Sequence, residues 1–543
     1  MKKMRTKYKS IVIGTVCSLV LLSCNKENEP TQPSAGGDLN NVSISILGVD
    51  DDLPAIVQQA MFRSSTAATM PTAAGQEIQT ENFDNFSWDL SAESERSTAP
   101  GTALRSSTAA LRQATSKPMA DTVRFKIFVK EVGTNTYKSK EFRGTNDSTF
   151  ISLEKDKAYE WFAFSYDRSD SIGLKDGTNG DPNSQNINVN TRTDAPFLYF
   201  KGTLPATSPR KIEITFKQQI AKVGVKVNAQ GLFATKFNSL GGNFNLSLKK
   251  GTFNMATGTL ATTGLTDVAY TGAVKWVDGS KAWIRLSTNE IYTASMATFQ
   301  PFKMTFTDVQ IHRQGTGGGD FTLVSASSPQ TAQYTSTFHN AGLGFIKRAV
   351  VDLMPKQVDF GDGGTWGPGL LYYDSGDPLY PYKFNDKIQS VSQPLPPPLG
   401  NNYYWLYNRL YPRQGNSSLG NGDPCSKVAP AGSWRLPSYA EYSNSLGGDS
   451  FVVGHAGPGG NRYIQGYDGG LMFTSQDNKT YFPTAGSWYG ENGNSWGISI
   501  YAGMYLMQGG RIFQVNSLGA GGSLAAIGNG AANTFYNIKC VRK

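Results

Sequence analysis

Histidine and cysteine are scarce in this chain of 543 residues, which contains three histidines and four cysteines. His312, His339 and His455 have no second His or Cys at the spacing of a metal site. No phosphate-binding loop occurs. The sequence therefore predicts no catalytic residues, no metal and no cofactor.

Charged residues make up only 17% of the chain, and no long run of Lys and Arg follows the N-terminus. The formal net charge is nevertheless +9, from 51 Lys and Arg against 42 Asp and Glu. Five of the basic residues lie within the first 23 positions, where there is no acid, so the remainder carries 46 against 42, or +4. A charge this small and dispersed excludes nucleic acid as a partner.

Long apolar runs are absent after residue 24, so no later segment is expected to span a membrane. Glycine and proline, by contrast, are frequent, at 59 and 26 residues, and aromatics reach 12%. Short stretches of alternating apolar and polar residues, separated by turn residues, are typical of β-sheet proteins. We expect an all-β fold with minor α content.

The N-terminus carries a targeting signal. Residues 1–23 combine a basic start with an apolar stretch from Ile11 to Leu22, the length of a signal-peptide core. The sequence Leu21-Leu22-Ser23-Cys24 resembles a bacterial lipobox, which implies that Cys24 is lipidated. The charged residues 25–29 resemble the export tag of surface lipoproteins in Bacteroidetes-type bacteria. The expected location is therefore the outer membrane, with the protein exposed at the cell surface and anchored by its lipid.

Residues 24–120 are expected to form a lipidated N-terminal segment with one strand and a mobile linker. Val42–Leu47 alternates apolar and hydroxyl residues, which predicts a half-buried strand. From about residue 50 the chain is rich in Ser, Thr and Ala, and Arg63–Ala68 recurs as Arg105–Ala110. Such a composition favours a protease-accessible segment, apart from an ordered patch at Phe83–Leu90.

Three domains are expected after this segment. Regular strand patterns over residues 121–225 and 226–355 predict two β-sandwiches, with their boundary between residues 210 and 230. Residues 356–543 hold 17 of the 25 tyrosines and many Gly and Asn residues, which predicts a third, loop-rich domain. Its one helix would begin with a capping box at Ser438 and Glu441 and end at Gly447-Gly448.

Two stretches resemble known families. Asp194–Phe200 and Ile212–Val227, together with the lipobox, resemble the fimbrillins, the pilus subunits of Bacteroidetes. Trp366–Tyr373, Asp423-Pro-Cys425, Ser433–Ser438 and Lys539–Arg542 are similar to a C-terminal module of C-type-lectin-like α+β fold. The resemblance implies transthyretin-like, Greek-key β-sandwiches in residues 121–355 and a lectin-like domain after them.

The fimbrillin resemblance also implies how the protein assembles. In that family an Arg-directed protease removes the lipidated segment with its first strand, and a strand from a neighbouring subunit fills the vacated groove. Val42–Leu47 is the candidate strand to be removed. The candidate cleavage sites are Arg63, Arg96, Arg105 and Arg112, although an ordinary linker would also contain solvated arginines.

The C-terminal end differs from that of a shaft subunit. Once Cys17 leaves with the signal and Cys24 is lipidated, one pair remains, and Cys425 and Cys540 are expected to form a disulfide. A chain closed three residues from its end could accept a strand but could not easily donate one. This favours a pilus tip adhesin, in the fimbrium, with other pilus subunits as partners. The alternative is a surface protein that remains anchored by its lipid and never enters a pilus.

A sugar is one candidate ligand of the third domain, because aromatic faces pack on pyranose rings and amides bond hydroxyls. The candidate residues are Trp488, Tyr489, Asn492, Asn494 and Trp496, although both tryptophans could equally be core residues, as Trp434 is expected to be. The motifs of calcium-dependent lectins are absent. The ligand would be a host or bacterial glycan or protein.

An enzyme is an alternative to these interpretations. Trp434–Glu441 also resembles the formylglycine-generating enzymes, which share the lectin-like fold and depend on two reactive cysteines near the chain end. Cys425 and Cys540 fit a structural disulfide better, so catalysis is not expected.

Overall fold

A computed structural model describes most of the chain after residue 38. The described residues are 39–50, 78–83, 86–96, 118–144, 150–172, 186–207, 210–295, 302–315, 318–334, 345–359, 364–385, 401–413, 417–446, 450–452, 462–467, 470–475, 478–483, 488–489, 495–496, 502–517, 523–529 and 534–543. The lipidation site Cys24 and the candidate cleavage sites Arg63, Arg105 and Arg112 lie outside them. The prediction that the linker around these arginines is mobile stays a prediction.

The described residues of the N-terminal segment and of the first region form ten strands. These are β1 (Leu39–Asp50), β2 (Gln79–Asn82), β3 (Phe86–Arg96), β4 (Arg124–Glu131), β5 (Tyr137–Arg143), β6 (Phe150–Glu154), β7 (Tyr159–Ser165), β8 (Asn188–Asn190), β9 (Leu198–Leu204) and β10 (Lys211–Gln218).

The second region contains a single-turn 3₁₀ helix, Gln230–Leu232, and thirteen strands within its described residues. These are β11 (Ala221–Asn228), β12 (Ala234–Lys250), β13 (Thr252–Asn254), β14 (Thr259–Leu260), β15 (Thr266–Ala273), β16 (Trp276–Asp278), β17 (Ile284–Ser287), β18 (Tyr292–Thr293), β19 (Phe302–Arg313), β20 (Gly319–Val324), β21 (Gln330–Tyr334), β22 (Phe345–Pro355) and β23 (Val358–Asp359).

The C-terminal region has shorter elements. Its strands are β24 (Thr365–Trp366), β25 (Leu370–Tyr373), β26 (Tyr382–Asn385), β27 (Trp434–Arg435), β28 (Ser450–Val452), β29 (Arg462–Tyr467), β30 (Gly470–Ser475), β31 (Asn478–Pro483), β32 (Trp488–Tyr489), β33 (Ser495–Trp496), β34 (Ala502–Leu506), β35 (Arg511–Ser517), β36 (Ser523–Asn529), β37 (Thr534–Phe535) and β38 (Val541–Arg542). The α-helix is α1 (Tyr439–Leu446), and 3₁₀ turns occur at Asn401–Tyr403, Ser417–Leu419, Pro424–Lys427 and Gln508–Gly510.

The fold is therefore mostly β with very little helix, as the composition predicts. Seven strands form sheet I in the order β5-β4-β7-β9-β10-β1-β6. Alternation fixes the inner face, because Phe125, Ile127 and Val129 on β4 point into the same core as Ile212 and Ile214 on β10. Residues of β5 and β6, at opposite ends of the sheet, share this core, so sheet I curls around it.

Two further sheets enclose the second core. Sheet II has the order β16-β17-β11-β22-β3-β2, and sheet III has the order β15-β12-β19-β20. Valines of β11 meet Phe244 of β12 and Phe306 of β19 in this core. The long strands follow from the sequence, because each has apolar residues at every second position on the face toward the other sheet.

Strand β3 includes much of the ordered patch expected at Phe83–Leu90 and continues beyond it, so residues 24–120 contain more strands than the one expected. It pairs with β22 over eleven residues, from Phe345↔Arg96 to Pro355↔Phe86, and lies inside sheet II. Phe86, Trp88, Leu90 and Ala92 are buried in the second core. The sequence predicts order at Phe83–Leu90 but not the continuation of the strand to Arg96, where Ser, Glu and Arg predominate.

The predicted boundary at 225/226 divides a single strand. All of β11 belongs to sheet II, where it pairs in parallel with β22, whereas β10 belongs to sheet I. The change of sheet therefore occurs at Gln219-Ile220. The outer face of sheet I, with Phe128, Phe164 and Phe197, packs on Phe253 of the second region, so the two regions share a third core.

Within the described residues, no helix is both long and apolar enough to cross a membrane.

Candidate functional site

Strand β1 lies between β10 and β6. It runs parallel to β10 from Ser43↔Lys211 to Asp50↔Lys217 and antiparallel to β6 from Leu39↔Glu154 to Ser43↔Phe150. A bulge separates Ile46 from Gly48, where φ is 129°. The strand predicted at Val42–Leu47 is therefore confirmed, and it is longer than predicted.

Burial of β1 follows its alternation. Val42 is fully buried and Ile44 is 5% exposed, while Ser43 points outward. The apolar walls around these two side chains include Ile151 and Leu153 of β6. Each buried side chain of this size contributes about 1.5–3 kcal/mol, so β1 is held by burial and by backbone hydrogen bonds on two sides.

We call the space that β1 occupies between β6 and β10 the β1 slot. The two neighbouring strands are also connected to each other directly, independently of β1. Arg210, which precedes β10, donates from Nη1 to the carbonyl of Glu154 at 2.7 Å and from Nη2 to the carbonyl of Lys157 at 3.0 Å. Its guanidinium also lies over the ring of Tyr159, at 5.5 Å. Since Glu154 ends β6, this arginine connects β6 to β10 directly.

Strand β3 is fixed in more ways than β1. Besides its eleven pairs with β22, Asp89 forms an ion pair with Arg542 at the C-terminus of the chain. The Asp89 side chain is only 5% exposed, and it also accepts a hydrogen bond from the Thr80 hydroxyl at 2.9 Å. Candidate cleavage residue Arg96 is the last residue of β3, with its backbone opposite Phe345.

The C-terminus is closed by covalent and hydrogen bonds. Cys425 and Cys540 form the predicted disulfide, across 115 residues, and both are buried. Strand β38 lies between β24 and β27, and the backbone N–H of Lys543 donates to the carbonyl of Ser433 at 3.0 Å. The last residues of the chain thus form part of a sheet.

The motifs behind the C-type-lectin-like resemblance converge beside the disulfide. One carboxylate oxygen of Asp423 accepts from the Cys425 N–H at 2.9 Å and the other from the Leu436 N–H at 2.7 Å. Burial raises the pKa of Asp423, and these hydrogen bonds act against that rise. Trp434 is fully buried, which confirms it as a core residue.

The predicted capping box is confirmed. Glu441 Oε2 accepts from the Ser438 N–H at 2.7 Å, and the Glu441 N–H donates to Ser438 Oγ at 3.3 Å. Arg435 holds the same carboxylate through both terminal nitrogens. Burial acts to raise the pKa of Glu441, but the hydrogen bonds from Arg435 and Ser438 outweigh it, so that the pKa is lowered.

A buried ion cluster fixes the C-terminal region to the second region. Lys383 Nζ lies 3.1 Å from Asp374 Oδ2 and 2.7 Å from Asp377 Oδ2, and it donates to the Gln314 carbonyl at 3.0 Å. Gly315 has φ of 76°, and a Cβ there would lie 2.3 Å from Asp374 Oδ2. The turn between β19 and β20 can approach the cluster because this residue is glycine.

The sugar-binding loop predicted from the sequence is described only in its backbone. Trp488 and Tyr489 form β32 and Trp496 is in β33, with Trp488 directly opposite Trp496. Asn492 and Asn494, and the side chains of the other three residues, lie outside the described part of the structure. Their role in ligand binding stays a prediction.

The sequence analysis missed a surface at the turn between Trp405 and Pro412. Tyr407 is 44% exposed there, although it is a large aromatic residue. Its position two residues after the aromatic run Tyr403-Tyr404-Trp405 gave no sign that Tyr404 and Trp405 would be buried and Tyr407 would not. Tyr407 lies in a turn together with Asn408, whose φ is 57°.

Comparisons with known proteins give likenesses in structure only. No family model matches the chain, and no curated protein matches it. Among solved structures, a Bacteroides fragilis protein provisionally assigned to cell adhesion matches with a TM-score of 0.29 and 11% identity, covering 49% of this chain and 90% of that one. The fimbrial anchor protein Mfa2 of Porphyromonas gingivalis matches with a TM-score of 0.21 and 12% identity, covering 36% and 72% respectively.

A third match, a Bacteroides eggerthii protein with the same provisional assignment, has a TM-score of 0.25 and 11% identity over 43% of this chain and 80% of that one. This chain thus has structural similarity to Bacteroidetes adhesion and fimbrial proteins.

Proposed function

We propose that the protein is a structural and adhesive subunit of a bacterial surface pilus, located at its tip. Its lipidated N-terminal segment would be removed by proteolysis, and a strand from a neighbouring subunit would take the place of β1. In this proposal sheet I and the pair of sheets II and III are transthyretin-like, Greek-key sandwiches, and residues 356–543 form the C-type-lectin-like domain. The protein would lie in the outer membrane before processing and in the fimbrium afterwards.

One observation supports this proposal above the others, namely the contrast between β1 and the C-terminus. Strand β1 occupies an internal position in sheet I between β10 and β6, and Arg210 joins these two neighbours independently of it. An empty slot would expose backbone donors and acceptors beside apolar surface, and an incoming strand would satisfy both. The C-terminal strand β38, in contrast, already pairs with β24 and β27 in its own sheet.

The position of β3 discriminates between the candidate cleavage sites. Arg63 is the only arginine between β1 and β2. Cleavage after Arg96, Arg105 or Arg112 would remove β3 as well, and with it Phe86, Trp88 and Leu90 from the second core. Cleavage after Arg63 would release β1 alone, so we propose Arg63 as the processing site.

The N-terminus of the protein in purified surface filaments tests this proposal. We expect mass spectrometry to find the first residue at Ser64, and an Arg63→Gln variant to stay lipidated and outside filaments. The conservative control Arg63→Lys should also resist an Arg-directed protease. A filament-bound chain that begins at residue 97 or later would contradict the choice of Arg63, and a chain absent from filaments would contradict the pilus role.

The second candidate is a surface protein that stays anchored through Cys24 and binds a ligand outside any pilus. The burial of Val42 and Ile44 in the complete sheet favours it, because the strand is well accommodated where it is. Detection of the lipidated N-terminal peptide in surface protein from cells that lack filaments would support this candidate.

A further inference from the structure

The turn from Trp405 to Pro412 presents an aromatic ring to solvent. Among the described residues, Phe150 and Tyr407 are the two aromatic side chains with large exposed fractions. The Lys140 ammonium lies over the Phe150 ring, 4.9 Å from its centroid. Tyr407 is 44% exposed, so part of its ring can contact a ligand.

Tyr407 rests against the turn Gln508–Gly510. A Cβ built on Gly510 would lie 3.4 Å from Cδ1 of Tyr407 and 3.7 Å from Cγ and Cε1. Gly510 has φ of 74°, a conformation that other residues adopt only with strain. The glycine backbone therefore supports one part of the ring closely, while nearly half of the residue remains exposed.

The backbone of this turn is held firmly. The Trp405 N–H donates to the Tyr536 carbonyl and the Tyr536 N–H to the Trp405 carbonyl, both at 2.8 Å. The Leu410 N–H donates to the Gly420 carbonyl at 3.1 Å, and the Tyr382 hydroxyl donates to the Leu410 carbonyl at 2.6 Å. A surface fixed in this way loses little conformational entropy when it binds a ligand.

A positive charge is fixed two residues from the exposed ring. Arg409 donates from Nη1 to Asn421 Oδ1 at 2.6 Å, and its guanidinium lies 5.8 Å from the centroid of the Tyr411 ring. Both of these partners are neutral, and Arg409 forms no ion pair with the described residues. An oriented guanidinium that has no carboxylate partner favours an anionic group in the ligand.

We propose that the turn of Tyr407 and Arg409 binds a pyranose sugar that carries a carboxylate. The apolar C–H face of the sugar stacks on Tyr407, and its carboxylate pairs with Arg409. Exposed Asn408, between the two, has an amide that bonds ring hydroxyls. Sialic acids and hexuronic acids share this chemistry. The inference concerns a different surface from the β1 slot, and it deepens only the adhesive part of the proposed function.

Isothermal titration of the full-length protein in detergent tests the proposal. The probes are 3′-sialyllactose, digalacturonate and, as the neutral comparison, lactose. We expect one or both acidic sugars to bind at least about tenfold more tightly than lactose, because a charge-assisted pair adds about one factor of ten. Which acid binds distinguishes a sialylated from a uronate-containing glycan.

Variants assign the binding to this turn. We expect Tyr407→Ala and Arg409→Gln each to weaken binding of the acidic sugar at least about tenfold, and Tyr407→Phe to retain it. Leu379→Ala and Lys427→Gln are matched controls in the same region, because Leu379 is exposed and apolar and Lys427 is exposed and basic. Both should bind as the native protein does.

Three results would overturn the inference. They are the absence of binding to both acidic sugars, equal binding of lactose, and full binding by the Tyr407→Ala or Arg409→Gln variant. Loss of binding in Trp488→Ala with normal binding in Tyr407→Ala would place the site in the other loop. None of these results bears on whether the protein enters a pilus, which the N-terminus of filament protein decides separately.

Discussion

Strand β1 and strand β38 lie near opposite ends of the described chain, and each is an internal strand of its sheet. They differ in what holds them there. Strand β1 is held by side-chain burial, by backbone pairing and by side-chain contacts such as the hydrogen bond from the Ser152 hydroxyl to Asn41 Oδ1. Strand β38 follows directly after a disulfide-bonded cysteine and carries Arg542, the partner of Asp89. In the proposed assembly an equivalent strand replaces β1 after the chain has been cleaved, whereas replacing β38 would also require the disulfide to be broken. The molecule is therefore asymmetric in how it could join to neighbours.

The largest effect is expected from removing the disulfide between Cys425 and Cys540. Strand β38 would then be held, like β1, without a crosslink beside it. On the chain-entropy model, a disulfide across 115 residues stabilises by about 4–5 kcal/mol. We expect the Cys425→Ser/Cys540→Ser variant to lose this amount of unfolding free energy in the C-terminal region, measured by urea denaturation. If reducing agent leaves the urea unfolding transition of the native protein unchanged, the disulfide does not contribute this stability.

The next largest effect tests how β1 is held. Replacing buried Ile44 with Asp places a charge in an apolar core, which costs about 3–5 kcal/mol when no partner is present. We expect Ile44→Asp to release β1 and to increase hydrogen exchange at the backbone amides of β6 and β10. The matched control is Ser43→Asp, on the outward face of the same strand, which should change stability by no more than about 0.5 kcal/mol. Equal effects of the two variants would show that β1 is not packed as described.

A smaller effect is expected at the contact between β3 and the C-terminus. Asp89→Asn leaves Arg542 without its carboxylate partner, and we expect a loss of about 1–3 kcal/mol. The double variant Asp89→Asn/Arg542→Met should lose less than the sum of the single variants, because the two residues are coupled. Glu213→Gln, in the exposed pair with Lys211, is the control and should have almost no effect. Strict additivity would contradict the ion pair.

The smallest effect depends on pH and concerns Lys539, beside the disulfide. Burial lowers the pKa of Lys539 to about 7, whereas an unfolded lysine titrates near about 10.4. Between these values the unfolded chain binds more protons than the folded chain, so folding becomes more favourable as the pH rises. We expect the native protein to gain up to about 1.4 kcal/mol per pH unit relative to Lys539→Met between about pH 7.5 and about pH 9.5. The control is Lys427→Met, at an exposed lysine. If the difference in unfolding free energy between the native protein and Lys539→Met does not change with pH, Lys539 is not desolvated.

The strands could be predicted from the sequence wherever one face is buried. Alternating Ile212, Ile214 and Phe216 predicted β10, and Ser438 with Glu441 predicted the start of α1, because these signals are local. The same alternation did not reveal partners. Nothing in β1 shows that it pairs with a strand 168 positions away, since alternation fixes which face is buried and leaves the neighbour undetermined.

The features of the candidate functional site were predictable only in part. The cysteine count left one pair, so the disulfide could be predicted from composition and compartment alone. The exposed ring of Tyr407 could not be predicted, because Tyr407 lies in a turn whereas Tyr404 and Trp405, just before it, are buried. Strand β3 lies between these cases, because its alternation is local but its place in sheet II requires β22, more than 240 residues later.

Exchange of β1 in trans is the most direct test of this asymmetry. A site-specific protease sequence at residue 63 would allow β1 to be cut from the rest of the chain after folding, and a synthetic peptide of residues 39–50 could then be added. The account predicts that the cut protein stays folded, binds this peptide, and regains slow hydrogen exchange in β6 and β10, while a peptide with Val42→Asp and Ile44→Asp does not bind. A cut protein that unfolds, or that ignores the native peptide, would contradict the account.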